Sequence, residues 1–287
     1  MTIKKYLLEH YTEDTAKIYL YEIDNYIANY PQAAQAVYKD VVNYIGTLRS
    51  KYSNASTLNR ILCSIRAYYD FLCYTGMRTD NPAKAIKLRD QRSHDIQLQD
   101  LFTSGELEAL MNRPERYNNL THRNRVLISL LIYQALLPGE MEALTVPDIN
   151  LSTGNIYIKP TTSTNKRELQ LKPNQVLLFY QYINETRPKL LDKNKSGALL
   201  IGIRGTPMQA DDIAKHVIRS YKGLYPRRQV NAQTIRQSVI ANLLKQGHDL
   251  SLVQAFAGHK YPSSTERYRQ NEIETLRDAV QKYHPVK

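Results

Sequence analysis

The 287-residue sequence has no tryptophan, only 4 phenylalanines and only 2 cysteines. Cys63 and Cys73 lie in one segment of helical periodicity, at a spacing that separates them by ~15 Å along a helix. That is beyond disulfide reach. A disulfide scaffold and a cysteine-ligated metal are therefore excluded, and a reduced, cytoplasmic setting is expected. No apolar run approaches the ~20 residues of a membrane span. The longest, Val126–Leu137, is interrupted by Ser129 and Gln134 and reads as a buried helix. Met1 to Tyr6 lack the continuous apolar core of a signal peptide. Internal repeats and low-complexity tracts are also missing, which excludes a solenoid.

What the chain has in quantity is positive charge and tyrosine. Lys and Arg number 39 against 27 Asp and Glu, a net charge of +12, and there are 22 tyrosines. The excess is spread over both halves, with 12 basic and 9 acidic residues in 1–90 and 27 and 18 in 91–287. No single tail accounts for it, so a polyanionic partner is expected along much of the chain. At 42% hydrophobic residues the chain can bury a sizeable core, and its length suits two domains.

Residues 1–87 read as a helical domain. Thr12 or Asp14 can cap a helix with Ile18, Tyr19, Ile23 and Tyr26 on one face, and Pro31 ends it. A second helix is expected over 34–51, and a third over 57–74 that stops at Gly76. Residues 88–100 are polar and aperiodic and form the expected linker, with His94 a solvated residue. Residues 101–287 form a second domain. Thr103 and Glu106 make a capping box before Leu107 and Leu110. An apolar helix follows from 123 or 124 to 136, and another begins at Glu140. The period then switches to that of strands at 149–151, 155–159 and 168–171, with Ser152-Thr153-Gly154 as a turn. Helices resume from about 174. The fold class is mainly α with a small antiparallel β-meander.

The C-terminal third concentrates groups suited to phosphate chemistry. Arg236 opens a helix that ends at Gly247, and a guanidinium there can bind phosphate bidentately. His259 follows Gly258, a glycine C-cap. Tyr268 lies just after Pro262-Ser263-Ser264-Thr265, which starts another helix. Each alone reads more simply as a solvated arginine, a structural histidine or a core tyrosine; the ordered set points to a phosphate-attacking site.

The run from Ala232 through Arg236 to Gly258-His259, with Tyr268 nine residues on, closely resembles the C-terminal signature of tyrosine recombinases, the phage integrases and Xer-type enzymes. Ser56–Leu72, Gly76 and Asn81-Pro82 resemble the end of their SAM-like core-binding domain. The resemblance implies a helical core-binding domain followed by an α+β catalytic domain, and double-stranded DNA with specific sites as the partner. It implies Tyr268 as the nucleophile forming a 3′-phosphotyrosyl link, with Arg236 and His259 stabilising the pentavalent phosphorus. A hairpin lysine would act as general acid. It implies no metal or nucleotide cofactor, and a tetramer on paired sites held by a helix after the nucleophile. DNA contacts are expected from Arg60, Arg66, Lys166, Arg167, Arg227 and Arg228.

Three positions depart from that pattern. The family's Gly-Leu-Arg-x-x-Glu is here Ala135-Leu136-Leu137-Pro138-Gly139-Glu140, with Leu137 at the arginine position. Gln233 stands for the first histidine of His-x-x-Arg, and glutamine cannot shuttle a proton. Thr162 falls at the lysine position, flanked by Lys159 and Lys166, of which Lys159 is preferred as general acid. Either another cation, such as Arg123, Arg125 or Arg167, fills the place of the missing arginine in a working recombinase of a mobile element, or the protein binds DNA with little or no strand exchange.

Overall fold

A computed structural model describes residues 1–88, 101–115, 117–225 and 228–268. The chain divides into two compact units, Met1–His94 and Asp95–Lys287.

The first unit is built from α1 (Ile3–His10), α2 (Glu13–Asn29), α3 (Tyr38–Lys51) and α4 (Ala55–Tyr74). The expected first helix begins at Glu13 after Thr12 as N-cap, but α1 precedes it, capped by Thr2. Its core follows the 3.6-residue period: Leu7, Ile23, Tyr26, Leu62, Ile65 and Tyr69 are fully buried. The buried tyrosines are satisfied in a chain of hydrogen bonds. Tyr26 and Tyr69 share one at 2.7 Å, and the Tyr69 hydroxyl donates to Ala33 O at 2.8 Å. Asn54 caps α4, and Gly76 adopts φ 73° just after its end, where a side chain would be strained.

The second unit places a three-stranded sheet within a helical body. Its elements are α5 (Ser104–Met111), α6 (Thr121–Tyr133), α7 (Pro138–Ala143), β1 (Ile149–Asn150), β2 (Asn155–Ile158), β3 (Arg167–Gln170), α8 (Pro173–Gln181), α9 (Arg187–Leu191), α10 (Ala210–Tyr221), α11 (Ala232–Lys245), α12 (Leu250–Ala257) and α13 (Ser263–Glu266). The strands run antiparallel in the order β1-β2-β3, pairing Ile149 with Ile156 and Ile158 with Arg167. The Thr103–Glu106 capping box forms as expected. Helix α6 runs through the centre of the core, with Val126, Leu127, Leu130 and Leu131 excluded from solvent. It ends at Tyr133, three residues before the expected Leu136. Ala135 there takes φ 51°, a left-handed conformation that breaks the helix. The chain then re-enters a helix at Pro138, whose missing N–H suits the first helical turn.

Candidate active site

The site is organised around one buried carboxylate. Glu140, on α7, is 2% exposed. It accepts from Arg167 Nη1 at 2.6 Å and Nη2 at 3.0 Å, from Thr164 Oγ1 at 2.7 Å, and from the Leu137 backbone N–H at 2.9 Å. Arg236 Nη1 stands 3.9 Å away on the other side. Burial alone would raise this carboxyl's pKa. The bidentate Arg167 bond and charge outweigh burial and hold it below the ordinary carboxylate range. Two guanidiniums thus share one carboxylate, leaving the cluster a net positive charge in a dry environment.

Arg236 lies one turn inside α11, not at its N-terminus, and it is 3% exposed. Its Nη1 donates to Ala135 O and its Nη2 to Ala257 O at 2.6 Å. The strained turn at Ala135 is what aims its carbonyl at the arginine. Burial lowers the Arg236 pKa, opposed by Glu140. The guanidinium is fixed by two carbonyls and a carboxylate, which preorganises its other N–H groups.

His259 sits on the turn after α12. Gly258 takes φ 69° and closes that helix. A Cβ at Gly258 would run into Arg167 Nη1 and come within 3.1 Å of Asn165 O, so only glycine lets the hairpin approach. His259 Nδ1 is 2.8 Å from Thr265 Oγ1. Burial first, and then the charges of Arg236 and Arg167, push its pKa down to about 4. The imidazole is therefore neutral at pH 7 and able to exchange hydrogen bonds with a phosphate or a phenol.

Tyr268 follows α13 instead of lying on its first turns as expected, because that helix ends at Glu266. Its N–H donates to Thr265 O at 3.1 Å. Tyr268 is 6% exposed and packs with Ile240, Ala241, Val253 and Ala257. Burial raises the phenol's pKa, and the positive charge of Arg236 opposes that rise. Thr265, fully buried, thus touches both the histidine ring and the tyrosine backbone.

The hairpin tip between β2 and β3 forms the remaining wall. Asn165 N–H donates to Gly258 O at 2.8 Å, and Thr164 pairs with His259 in an isolated antiparallel bridge. Lys260 Nζ donates to Thr162 O at 2.9 Å.

The structure separates the sequence candidates. Arg167, expected either at DNA or in the place of the missing arginine, is buried beside Arg236. Its Nε is buried with no hydrogen-bond partner, a donor left over after Glu140 has taken Nη1 and Nη2. Lys159, the preferred general acid, is held elsewhere: its Nζ lies 2.9 Å from Asp148 Oδ2 and 3.4 Å from Ala143 O. Arg123 is buried, donating to Asn124 Oδ1 and Ile201 O, and Arg125 is exposed on α6; neither joins the Glu140 cluster. Leu137 is half-buried at the N-cap of α7, and Gln233 is exposed. Arg228 does not face outward for DNA. It pairs with Glu106, holds Leu101 O at 2.9 Å and stacks over Phe102 and Tyr225, fastening the start of this unit. Arg66 donates to Ala83 O at 3.1 Å and to Ile86 O, fixing the segment after α4. Arg60 pairs with Glu22 at 2.8 Å, and Lys166 is exposed. Arg227 and the expected C-terminal helix of 271–283 lie outside the described residues.

Residue-level reading missed Glu140, Thr164, Thr265 and Ala135. Glu140 was within the quoted Gly-Leu-Arg-x-x-Glu pattern, which is a signal for it. Thr265 carried none beyond its place between His259 and Tyr268.

The profile of the phage integrase family matches residues 100–274, and that of the phage integrase N-terminal SAM-like domain matches residues 4–76. The chain belongs to the phage integrase family. Members of this family, the tyrosine recombinases, carry out site-specific recombination by cleaving and rejoining DNA. Curated relatives include the tyrosine recombinase XerC of Halalkalibacterium halodurans, 27% identical over 89% of this chain and 84% of its own. The tyrosine recombinase XerD of Staphylococcus saprophyticus is 25% identical over 84% and 80%. Among solved structures, XerH recombinase bound to a palindromic difH substrate aligns with TM-score 0.72 at 19% identity, over 93% of this chain and 78% of that one. A lambda integrase dimer on a core site gives 0.72 at 14%, over 93% and 92%. The Tn1549 transposon integrase on circular intermediate DNA gives 0.70 at 15%, over 96% and 99%. These likenesses share the family's fold of SAM-like and catalytic domains.

Proposed function

We propose that this protein is a working site-specific recombinase of a mobile element, which joins DNA through a 3′-phosphotyrosyl intermediate at Tyr268. The observation that carries the reading is the pair of guanidiniums on Glu140. Arg167 brings a second cation from β3 to the side of Arg236, where the family's α7 arginine is replaced by Leu137. Arg236 and Arg167 would stabilise charge on the pentavalent phosphorus, the orphaned Nε of Arg167 supplying a donor, and neutral His259 would bond a non-bridging oxygen. Tyr268 Oη forms the new bond to phosphorus as the 5′ oxygen leaves. The DNA-bound neighbours, one of them a transposon integrase, support double-stranded DNA as substrate and a mobile element as host.

The reading also includes a tetramer on paired sites. An apolar groove of about 410 Å³ lies between β3 and α12, lined by Leu169, Leu243, Leu252, Val253 and Phe256. Residues 271–283 carry Ile273, Leu276, Val280 and Tyr283 at helical spacing, and this stripe would fill the groove of a neighbouring copy. DNA contact is assigned to Arg60, Lys166 and Arg227.

The deciding experiment is covalent trapping on nicked duplexes carrying the flanks of the protein's own gene. Wild type should form a denaturation-resistant protein–DNA adduct and Tyr268→Phe none. Salt-sensitive, sequence-specific binding without any adduct would favour the second reading, DNA binding without strand exchange, which Leu137 and Gln233 motivate.

A further inference from the structure

The site as described lacks a proton donor for the leaving oxygen. Thr162 occupies the hairpin position where the resemblance places a lysine, and Lys159 is tied to Asp148. Yet an ammonium does reach that part of the hairpin. Lys260 Nζ lies 2.9 Å from the carbonyl oxygen of Thr162 itself. Lys260 is exposed, and among the described residues no carboxylate pairs with it. Its backbone directly follows His259, so the turn that presents the histidine also presents the lysine.

Three contacts keep this arrangement in register. The Asn165 N–H bonds Gly258 O at 2.8 Å, Thr164 bridges His259, and Thr164 Oγ1 bonds Glu140 at 2.7 Å. The hairpin tip is thereby sewn to the histidine turn and to the carboxylate that holds both arginines. A cation anchored on the turn after His259 can lie along this tip, whereas one on the far end of β2 cannot leave Asp148 without breaking an ion pair.

We infer that Lys260 is the general acid of this enzyme, taking over from the turn after His259 the role that the hairpin position of Thr162 does not fill. The inference rests on the recombinase reading above. In the step, Tyr268 Oη bonds to phosphorus and gives its proton to solvent water. The P–O5′ bond breaks with its electron pair on O5′, and the Lys260 ammonium transfers a proton to that oxygen, leaving a 5′ hydroxyl and a neutral amine. In religation the amine takes the proton back as the 5′ hydroxyl attacks.

The test compares an ordinary scissile diester with one whose bridging 5′ oxygen is replaced by sulfur, at the position mapped with wild-type adduct. A thiolate leaves without protonation because its conjugate acid is far stronger than an alcohol. Lys260→Ala should cleave the ordinary diester about 10²–10³-fold more slowly than wild type and the sulfur-bridged one within a few-fold of it. Lys260→Arg should stay nearly as slow as Lys260→Ala on the ordinary diester, because a guanidinium keeps the charge but does not give up its proton. Equal slowing on both substrates would reduce Lys260 to a structural or DNA-holding residue. Near-wild-type cleavage by Lys260→Ala, or sulfur rescue of Lys159→Ala or Lys166→Ala in its place, would overturn the assignment while leaving the recombinase reading standing. Absence of adduct from wild type on both substrates would defeat both.

Discussion

The two walls of the candidate site differ in how far they keep the family's residues. The wall made by α11, α12 and α13 keeps three of its residues, Arg236, His259 and Tyr268, at the family spacing, and has exchanged only the first histidine, for Gln233. The wall made by α7 and the β2–β3 hairpin has lost its residues, with Leu137 and Thr162 at the key positions, but it places a cation, Arg167, beside Arg236 from a different strand position. The contrast teaches that a phosphate site is specified by where charge accumulates. The tyrosine has no such freedom, since its oxygen must attack along one line.

The sharpest way to break this contrast is to remove the carboxylate that joins the two walls. Glu140→Gln should destabilise the fold by about 3–5 kcal/mol, because two buried guanidiniums lose their counter-charge. Urea denaturation measures it; a loss below ~1 kcal/mol would mean that the arginines are compensated elsewhere.

Next come the cations themselves. Arg167→Ala should lower the rate of adduct formation about 10²–10³-fold, the cost of one preorganised donor. Adding Leu137→Arg to that variant should recover a large part of the rate. If the double variant stays inactive while remaining folded, Arg167 acts only on structure and the contrast drawn above collapses.

A pH series sharpens the comparison between the site's histidine and a structural one. His259 and His216 are both pushed down to about 4, chiefly by burial, His216 beside Arg123. Their unfolded value is 6.5. Between those values the unfolded chain binds protons that the folded chain refuses, so stability should fall as pH drops from 6.5 towards 4. Thermal melts should show the decline, and His216→Asn and His259→Asn should each remove part of it. A flat melting temperature over that window would contradict the burial of both rings.

Smaller effects test the finer positioning. Thr265→Val keeps the shape but removes the His259 Nδ1 partner, and should slow cleavage about tenfold with little loss of stability. Unchanged cleavage would show that the ring needs no such restraint. The smallest change is expected at the strained turn, where Ala135→Gly should stabilise by up to ~1 kcal/mol at φ 51°. A destabilised protein would show instead that the methyl group packs usefully against its surroundings.

Much of the architecture was legible because local rules act alone there. The Thr103–Glu106 capping box, the glycine closure at Gly258 and the strand period of 155–158 needed no distant partner. Boundaries failed where tertiary contacts overrode propensity. Residues 134–136 continue an apolar pattern, yet Ala135 turns left-handed to present its carbonyl to Arg236, 101 residues away in sequence. Arg66 and Arg228 are expected at DNA from sequence, but packing bonds one to carbonyls and closes the other on Glu106.

By itself, the sequence determined the family, the nucleophile candidate and the order of Arg236, His259 and Tyr268, because these depend on residue type and short-range spacing. Only the tertiary structure decided which other cation stands beside Arg236. Side chains from α7, β3 and α11 meet through contacts whose partners lie tens of residues apart. Electrostatic attraction depends on distance in space, and burial strengthens it. So Arg167, one of three cations the sequence leaves open for the vacated arginine place, comes to rest on Glu140, and Lys260 on Thr162, through contacts that no local motif specifies.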